Sequence, residues 1–392
     1  MLSATVKYNE LQKFLAIASQ ISPKKNELEI ITYTKIDILN DSIKLECSNI
    51  SYAANCQISQ EGTGSAENTS FLIKTDLLFD CISSFSGDLV DFNIDLNTHT
   101  LTVKVSNGKA KLRINTDFLK DWRQLKHSDE SQIKSEIKLL GSDLNKAIKL
   151  ALISVGQPKV VLQPEFLNIC FTVNPESNKL SVVSSDRFRL SLNNIPLDYL
   201  EDSKTPKLSA NTNFILPSKV LALVSRVLPD DTNLQITLNA DDAWFKFDKT
   251  EIYAQYIDGK YPDYEKIVPQ SFSCSLQVDK EELLKAIKQV FFLSRNQFNK
   301  DITFQVNPVE KKILVTSKSD ILGESENQIN ILEMEGDQSE WQQSFNATYF
   351  LDYLALTDNK VLIWDANPGK PSVLYGKDDK SKGLYLVCGL NR

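Results

Sequence analysis

Phe71-Leu72-Ile73-Lys74-Thr75-Asp76-Leu77-Leu78 is a short apolar run that changes character at Thr75. The same form returns as Phe214-Ile215-Leu216-Pro217-Ser218-Lys219-Val220-Leu221 and as Phe345-Asn346-Ala347-Thr348-Tyr349-Phe350-Leu351. Each reads as a strand feeding a helix. Thr75, Ser218 or Thr348 stands near the cap, and Pro217 is tolerated at the start because that N–H has no helical partner anyway. A second series flanks the first. Amphipathic stretches over 6–21, 139–156 and 276–295 centre on Leu11, Leu144 and Leu283, which are 133 and then 139 residues apart. Alternating runs lie between them, such as Ile43-Lys44-Leu45-Glu46-Cys47, Leu101-Thr102-Val103-Lys104-Val105, Leu234-Gln235-Ile236-Thr237-Leu238 and Ile313-Leu314-Val315-Thr316. Alternation with β-branched residues is the signature of a half-buried strand. Each third therefore holds two helices and several antiparallel strands, an α+β chain of three duplicated domains. A period of about 130 residues is too long for a solenoid repeat. The joints are expected near Asp121-Trp122 and at Tyr261-Pro262-Asp263-Tyr264, giving domains 1–128, 129–270 and 271–392.

Composition agrees with such a chain. Its 392 residues are 42% hydrophobic and 24% charged, with 13 Gly and 13 Pro, a globular balance too long for one core. No stretch approaches the roughly 18 apolar residues of a membrane span. Phe14-Leu15-Ala16-Ile17-Ala18 faintly resembles a secretion signal, but Asn9, Glu10, Gln12 and Lys13 interrupt it. Leu11, Phe14, Leu15 and Ala18 share one helical face, so an amphipathic helix is the better reading. Cys47, Cys56, Cys81, Cys170, Cys274 and Cys388 lie far apart without a C-x-x-C pair. They read as reduced core thiols in a cytoplasmic protein.

Catalytic machinery is hard to find. The two histidines, His99 and His127, sit in polar stretches and read as exposed loop residues, which leaves little for histidine chemistry or metal ligation. Gly62-Thr63-Gly64 lacks the third glycine and preceding strand of a dinucleotide loop and reads as a surface turn. The 51 acidic residues are scattered, without calcium-loop spacing. Neither a cofactor nor a metal is expected.

The net charge of −7 argues against a simple basic protein that coats nucleic acid. Charge nevertheless sorts by element. The six helical segments (6–21, 71–86, 139–156, 214–228, 276–295 and 345–357) together carry +3, so the rest of the −7 chain carries −10. Solvated helix faces account for most of these charges individually. Positive helices on an acidic body are also what a surface surrounding DNA requires.

Three further segments carry a family resemblance. Leu180-Ser181-Val182-Val183-Ser184-Ser185-Asp186-Arg187-Phe188-Arg189-Leu190 resembles the strand–turn segment ending T-D-G-H-R-L in bacterial sliding clamps, the beta subunits of the replicative DNA polymerase III holoenzyme. Tyr256-Ile257-Asp258-Gly259-Lys260-Tyr261-Pro262-Asp263-Tyr264-Glu265-Lys266-Ile267-Val268-Pro269 resembles their D-G-x-[FY]-P-D-Y-x-x-[VI]-[LI]-P joint. Phe345-Asn346-Ala347-Thr348-Tyr349-Phe350-Leu351-Asp352-Tyr353-Leu354 resembles their F-N-x-x-Y-L-x-D-x-L helix start. The likeness is good from about Leu139 onward, and in the first third only the pattern agrees. It implies three clamp domains per chain, each with two helices packed on small antiparallel sheets, and a head-to-tail homodimer forming a six-domain ring around duplex DNA. It also implies a non-catalytic processivity factor that tethers the polymerase catalytic subunit, the clamp-loader complex and repair enzymes carrying a clamp motif. The reading from another class is a monomeric three-domain peptide-binding adaptor that does not encircle DNA. An enzyme built on scattered carboxylates is the least supported.

Carried over position by position, the family's partner-peptide pocket falls on Leu167, Ser185, Arg187, Phe188, Arg189, Leu190, Pro262, Lys266, Ile267, Phe298, Asn346, Tyr349, Lys370, Ser372, Leu386, Val387, Cys388, Gly389 and Leu390. The implied peptide lays an apolar end on Leu190, Pro262, Ile267, Leu386 and Cys388 while Asn346, Arg189 and Ser372 orient it. On the residues alone, Leu190, Ile267 and Val387 read as plain core. The family usually has Gly-His where Arg187-Phe188 stand, and M-P-M-R-L where the chain ends Cys388-Gly389-Leu390-Asn391-Arg392. Leu112 and Phe292-Leu293 match the apolar contacts of the ring seam. The cations expected to face DNA are Lys13, Lys24, Lys25, Lys146, Lys149, Lys219, Arg226, Lys285 and Lys288.

Overall fold

The structure, a computed structural model, describes residues 2–62, 68–106, 108–122, 133–197, 212–377 and 380–390. His127, Thr63 and Gly64 lie outside them. One formula runs through the chain three times: strand, helix, four strands, helix, three strands. The first pass is β1 (Leu2–Lys7), α1 (Tyr8–Ile21), β2 (Tyr33–Ile38), β3 (Ser42–Ser48), β4 (Tyr52–Ser59), β5 (Thr69–Lys74), α2 (Thr75–Ser83), β6 (Leu89–Asp95), β7 (Thr100–Val105) and β8 (Gly108–Arg113). The second is β9 (Ser135–Leu140), α3 (Gly141–Leu152), β10 (Ile169–Asn174), β11 (Lys179–Ser185), β12 (Arg189–Pro196), β13 (Thr212–Leu216), α4 (Ser218–Val227), β14 (Asn233–Leu238), β15 (Asp242–Phe247) and β16 (Thr250–Gln255). The third is β17 (Cys274–Asp279), α5 (Lys280–Ser294), β18 (Asp301–Asn307), β19 (Lys312–Ser319), β20 (Gly323–Gly336), β21 (Trp341–Asn346), α6 (Ala347–Leu356), β22 (Val361–Ala366), β23 (Ser372–Gly376) and β24 (Gly383–Val387). Two helices per repeat on antiparallel strands bear out the α+β reading.

The anchor leucines Leu11, Leu144 and Leu283 are fully buried, and on α1 so are Phe14, Leu15 and Ala18. The caps differ from expectation. Asp279 accepts the Glu282 N–H at 2.9 Å and Asn346 accepts the Thr348 N–H at 2.9 Å. Thr75 instead pairs its hydroxyl with that of buried Thr34, and Ser218 donates to the Leu167 carbonyl. Short polar side chains at helix starts satisfy whichever backbone or side-chain group is closest. His99 is exposed in the β6–β7 turn at φ +49°, the left-handed conformation a tight hairpin needs.

The strands assemble into two compact units. The first is built mainly on Met1–Asn145 and Lys219–Tyr256. It holds a four-stranded sheet, β1-β6-β7-β8, and an eight-stranded one, β5-β2-β3-β4-β16-β15-β14-β9. The second is built mainly on Lys146–Pro196 and Ile257–Arg392. Its twelve-stranded sheet runs β13-β10-β11-β12-β24-β23-β22-β17-β20-β19-β18-β21. The middle repeat thus lends four strands to each unit. In the first unit β4 pairs with β16, setting Cys56 opposite Thr250. In the second β12 pairs with β24, setting Leu190 opposite Leu386.

The second unit's core centres on Phe304, whose ring lies 4.9 Å from Trp364, 5.1 Å from Phe350 and 5.9 Å from Phe345. All four are fully buried. Edge-on and tilted aromatic pairs add about 0.5–1.5 kcal/mol beyond the area they bury. Phe304→Ala is therefore expected to destabilise this unit by about 3–5 kcal/mol. Denaturant titration followed by tryptophan fluorescence checks it, and a cost under about 1 kcal/mol would contradict this assignment of the core.

Candidate functional site

The turn before β12 is held by its own side chains. Ser185 Oγ donates to the Arg189 carbonyl at 2.8 Å and accepts the Arg187 N–H at 3.1 Å. Asp186 Oδ1 accepts the N–H groups of Phe188 and Arg189, each at 3.0 Å. This clamp forces Arg187 to φ +80°, a left-handed conformation that favours glycine. The Gly of the resembling T-D-G-H-R-L motif falls at this position, where this chain carries Arg187.

Arg189 is the centre of a dense polar cluster. Its Nε donates to Asp186 at 2.9 Å, its Nη1 to Asp352 of α6 at 2.6 Å, and its guanidinium lies 4.5 Å from the centre of the Tyr349 ring. Tyr385 donates to the Tyr349 carbonyl at 2.9 Å and stacks on Tyr353. Burial opposes the charge on Arg189, but Tyr385, Asp352 and Asp186 outweigh it and hold its pKa above the ordinary value. Burial, then the Asp186 charge, pushes the Tyr349 hydroxyl up to about 12. The same two causes raise the Cys388 thiol, so it stays protonated.

Beneath this cluster Leu190, Leu386, Tyr261, Tyr264 and Val373 pack together, with Cys388 at the edge. Leu190, Leu386 and Val387 are buried and form core, not a surface on which a peptide can lie. What remains accessible around that core is Phe188 (49% exposed), Ile267 (46% exposed), half-buried Pro262 and Cys388. Phe188 is tied to Cys388 through a 2.8 Å backbone bond. Ile267 is tied to Tyr264 by another at 3.0 Å.

Two of the proposed orienting groups are committed internally: Asn346 caps α6 and Arg189 is paired with two carboxylates, while Ser372 is buried with no hydrogen-bond partner for its hydroxyl among the described residues. Ser185 is spent in the turn, Leu167 binds Ser218 through its carbonyl, and Lys266 pairs with Asp263 at 2.7 Å. Arg187 is exposed, with no ion pair among the described residues. Gly389 lies where any Cβ would strike the Gln343 amide, and Gln343 donates to the Lys370 carbonyl at 3.0 Å. Leu390 bonds the Ser344 carbonyl. Phe298 is 99% exposed, on a loop tied by Gln297 to the Lys318 carbonyl of β19. Nothing ties it to the Arg189 cluster among the described residues.

Asp186, Asp352, Tyr385 and Gln343 were missed from sequence. Asp186, three residues before Arg189, left a local signal. Asp352 and Tyr385 contact Arg189 across 163 and 196 residues; Asp352 falls on the D of the F-N-x-x-Y-L-x-D-x-L motif, which gave no hint of its partner, and Tyr385 left no signal. Two larger openings, of about 600 and 570 Å³, lie over the third repeat, lined mainly by polar side chains such as Gln305 and Gln342. They lack the apolar floor a peptide anchor needs.

The nine expected cations are all exposed. Lys13, Lys146 and Lys285 each stand two residues after a buried anchor leucine, so one face repeats on α1, α3 and α5. Lys146 also pairs with Asp358 at 3.1 Å. Leu112 is half-buried on edge strand β8, and Phe292 is 55% exposed. Leu293 is 4% exposed on the buried side of α5, so of that apolar pair only Phe292 offers a surface. Among the described residues no group of His, Cys, Asp and Glu is placed to hold a metal, and no helix is long and apolar enough to cross a membrane.

Comparison with known proteins matches residues 140–263 to the central domain, and 265–386 to the C-terminal domain, of the DNA polymerase III beta subunit. The beta sliding clamp of Streptococcus pneumoniae is 22% identical over 99% of this chain and 98% of its own length. That of Bacillus subtilis is 25% identical over 68% of this chain and 66% of its own. Among solved structures, the Bacillus subtilis sliding clamp superposes with a TM-score of 0.87 at 20% identity, covering 100% of this chain and 99% of that one. The Pseudomonas aeruginosa beta subunit gives 0.85 at 18%, covering both chains fully.

A local consequence concerns the strained turn. A non-glycine residue in the left-handed region costs about 1–2 kcal/mol, partly offset by glycine's greater unfolded-state freedom. Arg187→Gly should therefore raise stability by about 0.5–1 kcal/mol, read as a higher denaturation midpoint. An unchanged or lower midpoint would show that the clamp imposes no strain.

Proposed function

Because this chain belongs to the beta-subunit family of bacterial DNA polymerase III, the sliding clamps, we propose that it is a ring-forming processivity factor. Two copies close head to tail around duplex DNA and tether the polymerase, the clamp loader and repair enzymes in the cytoplasm. The three repeats serve as domains 1–128, 129–270 and 271–392, and the chain itself performs no chemistry.

The observation that carries this reading is a pattern of strand edges. The last strand of the first repeat's second sheet, β4, pairs with β16 of the second repeat. Its counterpart β12 pairs with β24 of the third. By the same rule β20 should meet β8. Yet among the described residues β8 pairs only with β7, and positions 323–330 of β20 pair only with β19. Two open edges of equal rank in one chain fit a second copy, which would close both by the contact already used twice internally. Their charges are complementary: Lys109, Lys111 and Arg113 are exposed on β8, Glu324 and Glu326 on β20. Phe292 and Leu112 supply the apolar part of this seam.

The partner pocket is the surface around Phe188, Pro262, Ile267 and Cys388, with Arg187 as its free cation. Such a surface suits a short peptide with an apolar end, and Arg187 favours an acidic group beside it.

Light scattering should give a mass near twice 44.3 kDa, and Phe292→Asp should give folded monomers. Truncating a large interface anchor often costs more than about 2 kcal/mol. A wild-type monomer would return the chain to the adaptor reading. The wild-type ring should stay on closed circular duplex and slip off the linearised form. Equal retention on both would indicate surface binding.

For the pocket, Ile267→Lys is the suitable variant, since the position is exposed and the fold should tolerate it. Affinity for a glutamine-containing, apolar-ended peptide, followed by fluorescence anisotropy, should fall about tenfold or more, equivalent to about 1.4 kcal/mol. Unchanged affinity would place the partner site elsewhere.

A further inference from the structure

Three strand edges in the chain are covered in the same way, and the third covering is the slightest. Leu72 of β5, Ile215 of β13 and Ser344 of β21 each stand three residues before the first residue of the following helix. Each carbonyl accepts an N–H from the segment that ends its repeat: Asn115 at 2.8 Å, Ile257 at 2.9 Å and Leu390 at 2.8 Å. In the first repeat Leu72 returns a second bond to the Asn115 carbonyl, Phe118 packs edge-on against Tyr33, and Trp122 Nε1 donates to Glu46 at 2.8 Å. In the second, Tyr261 and Tyr264 follow and are buried. In the third, Leu390 is the last described residue. Its bond is the one main-chain bond made to the outer edge of β21 among the described residues.

β21 ends its sheet, and strand alternation turns the main-chain groups of Gln342 and Ser344 away from β18. Two openings lie beside this edge and share Gln305 and Gln342. One of about 570 Å³ reaches Ser344 and Leu390, and one of about 600 Å³ reaches Glu340 and Glu310. Gln343 lines the first and is 7% exposed. Its Nε2 donates to Lys370, while its Oε1 has no partner among the described residues and requires a donor. At the other end Glu310 and Glu340 are exposed without an ion pair among the described residues, against Lys312 alone. We propose that the edge of β21 is a strand-addition site for an extended, polar segment of a partner protein with basic residues at its C-terminal end. The segment pairs antiparallel with β21, as Leu390 does at Ser344, which directs its C-terminal end toward Glu340 and Glu310. Main-chain bonds hold it, so these polar openings need no apolar floor. Its side chains meet the amides and hydroxyls of Gln305, Gln342 and Thr303. Nucleic acid is disfavoured there by the two free carboxylates. As a tethering contact the site rests on the reading of the chain as a platform for partners, and extends it. Cys388 bonds the Phe188 carbonyl beside the partner pocket, and two residues later Leu390 bonds β21, so pocket and edge lie in succession along one segment.

The test uses the full chain and two labelled probes followed by fluorescence anisotropy. One is a short peptide of alternating threonine and valine ending in a pair of lysines, and the other is the glutamine-containing, apolar-ended peptide of the pocket. Gln342→Pro removes an outward N–H and keeps the bonds to β18, a change that edge strands tolerate. It should weaken the lysine-ended peptide about tenfold and leave the pocket peptide and the circular dichroism unchanged. Ile267→Lys should do the reverse. On the unmodified chain the lysine-ended peptide should slow hydrogen exchange at the Gln342 and Ser344 amides, a readout that does not depend on how the variant folds. Exchange left unchanged there would overturn the edge, as would a lysine-ended peptide lost with Ile267→Lys and kept with Gln342→Pro. Equal binding when glutamates replace the terminal lysines would overturn the basic preference. If the pocket peptide binds and the lysine-ended one does not, the edge falls and the tethering reading stands. If neither binds, both fall.

Discussion

The constraint on which this architecture depends is the open edge of a β-sheet. Backbone N–H and C=O groups on an edge strand must find partners or stay in water, and a long unpaired edge invites association. This chain answers by pairing edges between repeats. The β4–β16 and β12–β24 contacts are ladders as regular as those within a repeat, which is why the middle repeat is shared between two compact units. A fold of separate beads on linkers would place its units at the repeat boundaries. Here continuous ladders cross them.

The helices are the other half of the same logic. Each first helix buries its anchor leucine and turns an exposed lysine outward two residues later. A chain of net charge −7 can still present cations on repeated helix faces, where they attract a polyanion locally. The helices α2 and α6 carry no cation on their exposed faces. Exposed cations therefore lie on α1, α3, α4 and α5, and α4 is the one second-in-repeat helix among them.

The Arg189 cluster fixes the backbone beside the proposed partner surface. Two carboxylates, an aromatic face and a tyrosine hydroxyl fix one guanidinium, and that guanidinium joins β12 to α6. The cluster leaves Phe188 and Arg187 exposed beside it. A left-handed turn conformation carried by Arg, where the family usually has Gly, shows that the clamp of Ser185 and Asp186 sets the backbone there more strongly than the identity of the residue does.

Periodicity alone determined that the chain is α+β, that its pattern recurs three times, and which leucines anchor the helices. Apolar spacing is a local property, and burial simply follows it. The motif around Arg189 and the joint at Tyr261-Pro262-Asp263-Tyr264 were legible for the same reason, since each is a continuous run. Tertiary structure decided which of those residues face outward. Leu190, Leu386 and Val387 resemble surface contacts by motif but are enclosed, because the strands opposite them come from distant segments, and Leu293 is buried on α5. Asn346 and Arg189 are consumed by a helix cap and by two carboxylates, and the second carboxylate, Asp352, is 163 residues away. Edge pairing between repeats was equally invisible, for a strand carries no mark of its neighbour until registry is set by closure of the whole sheet.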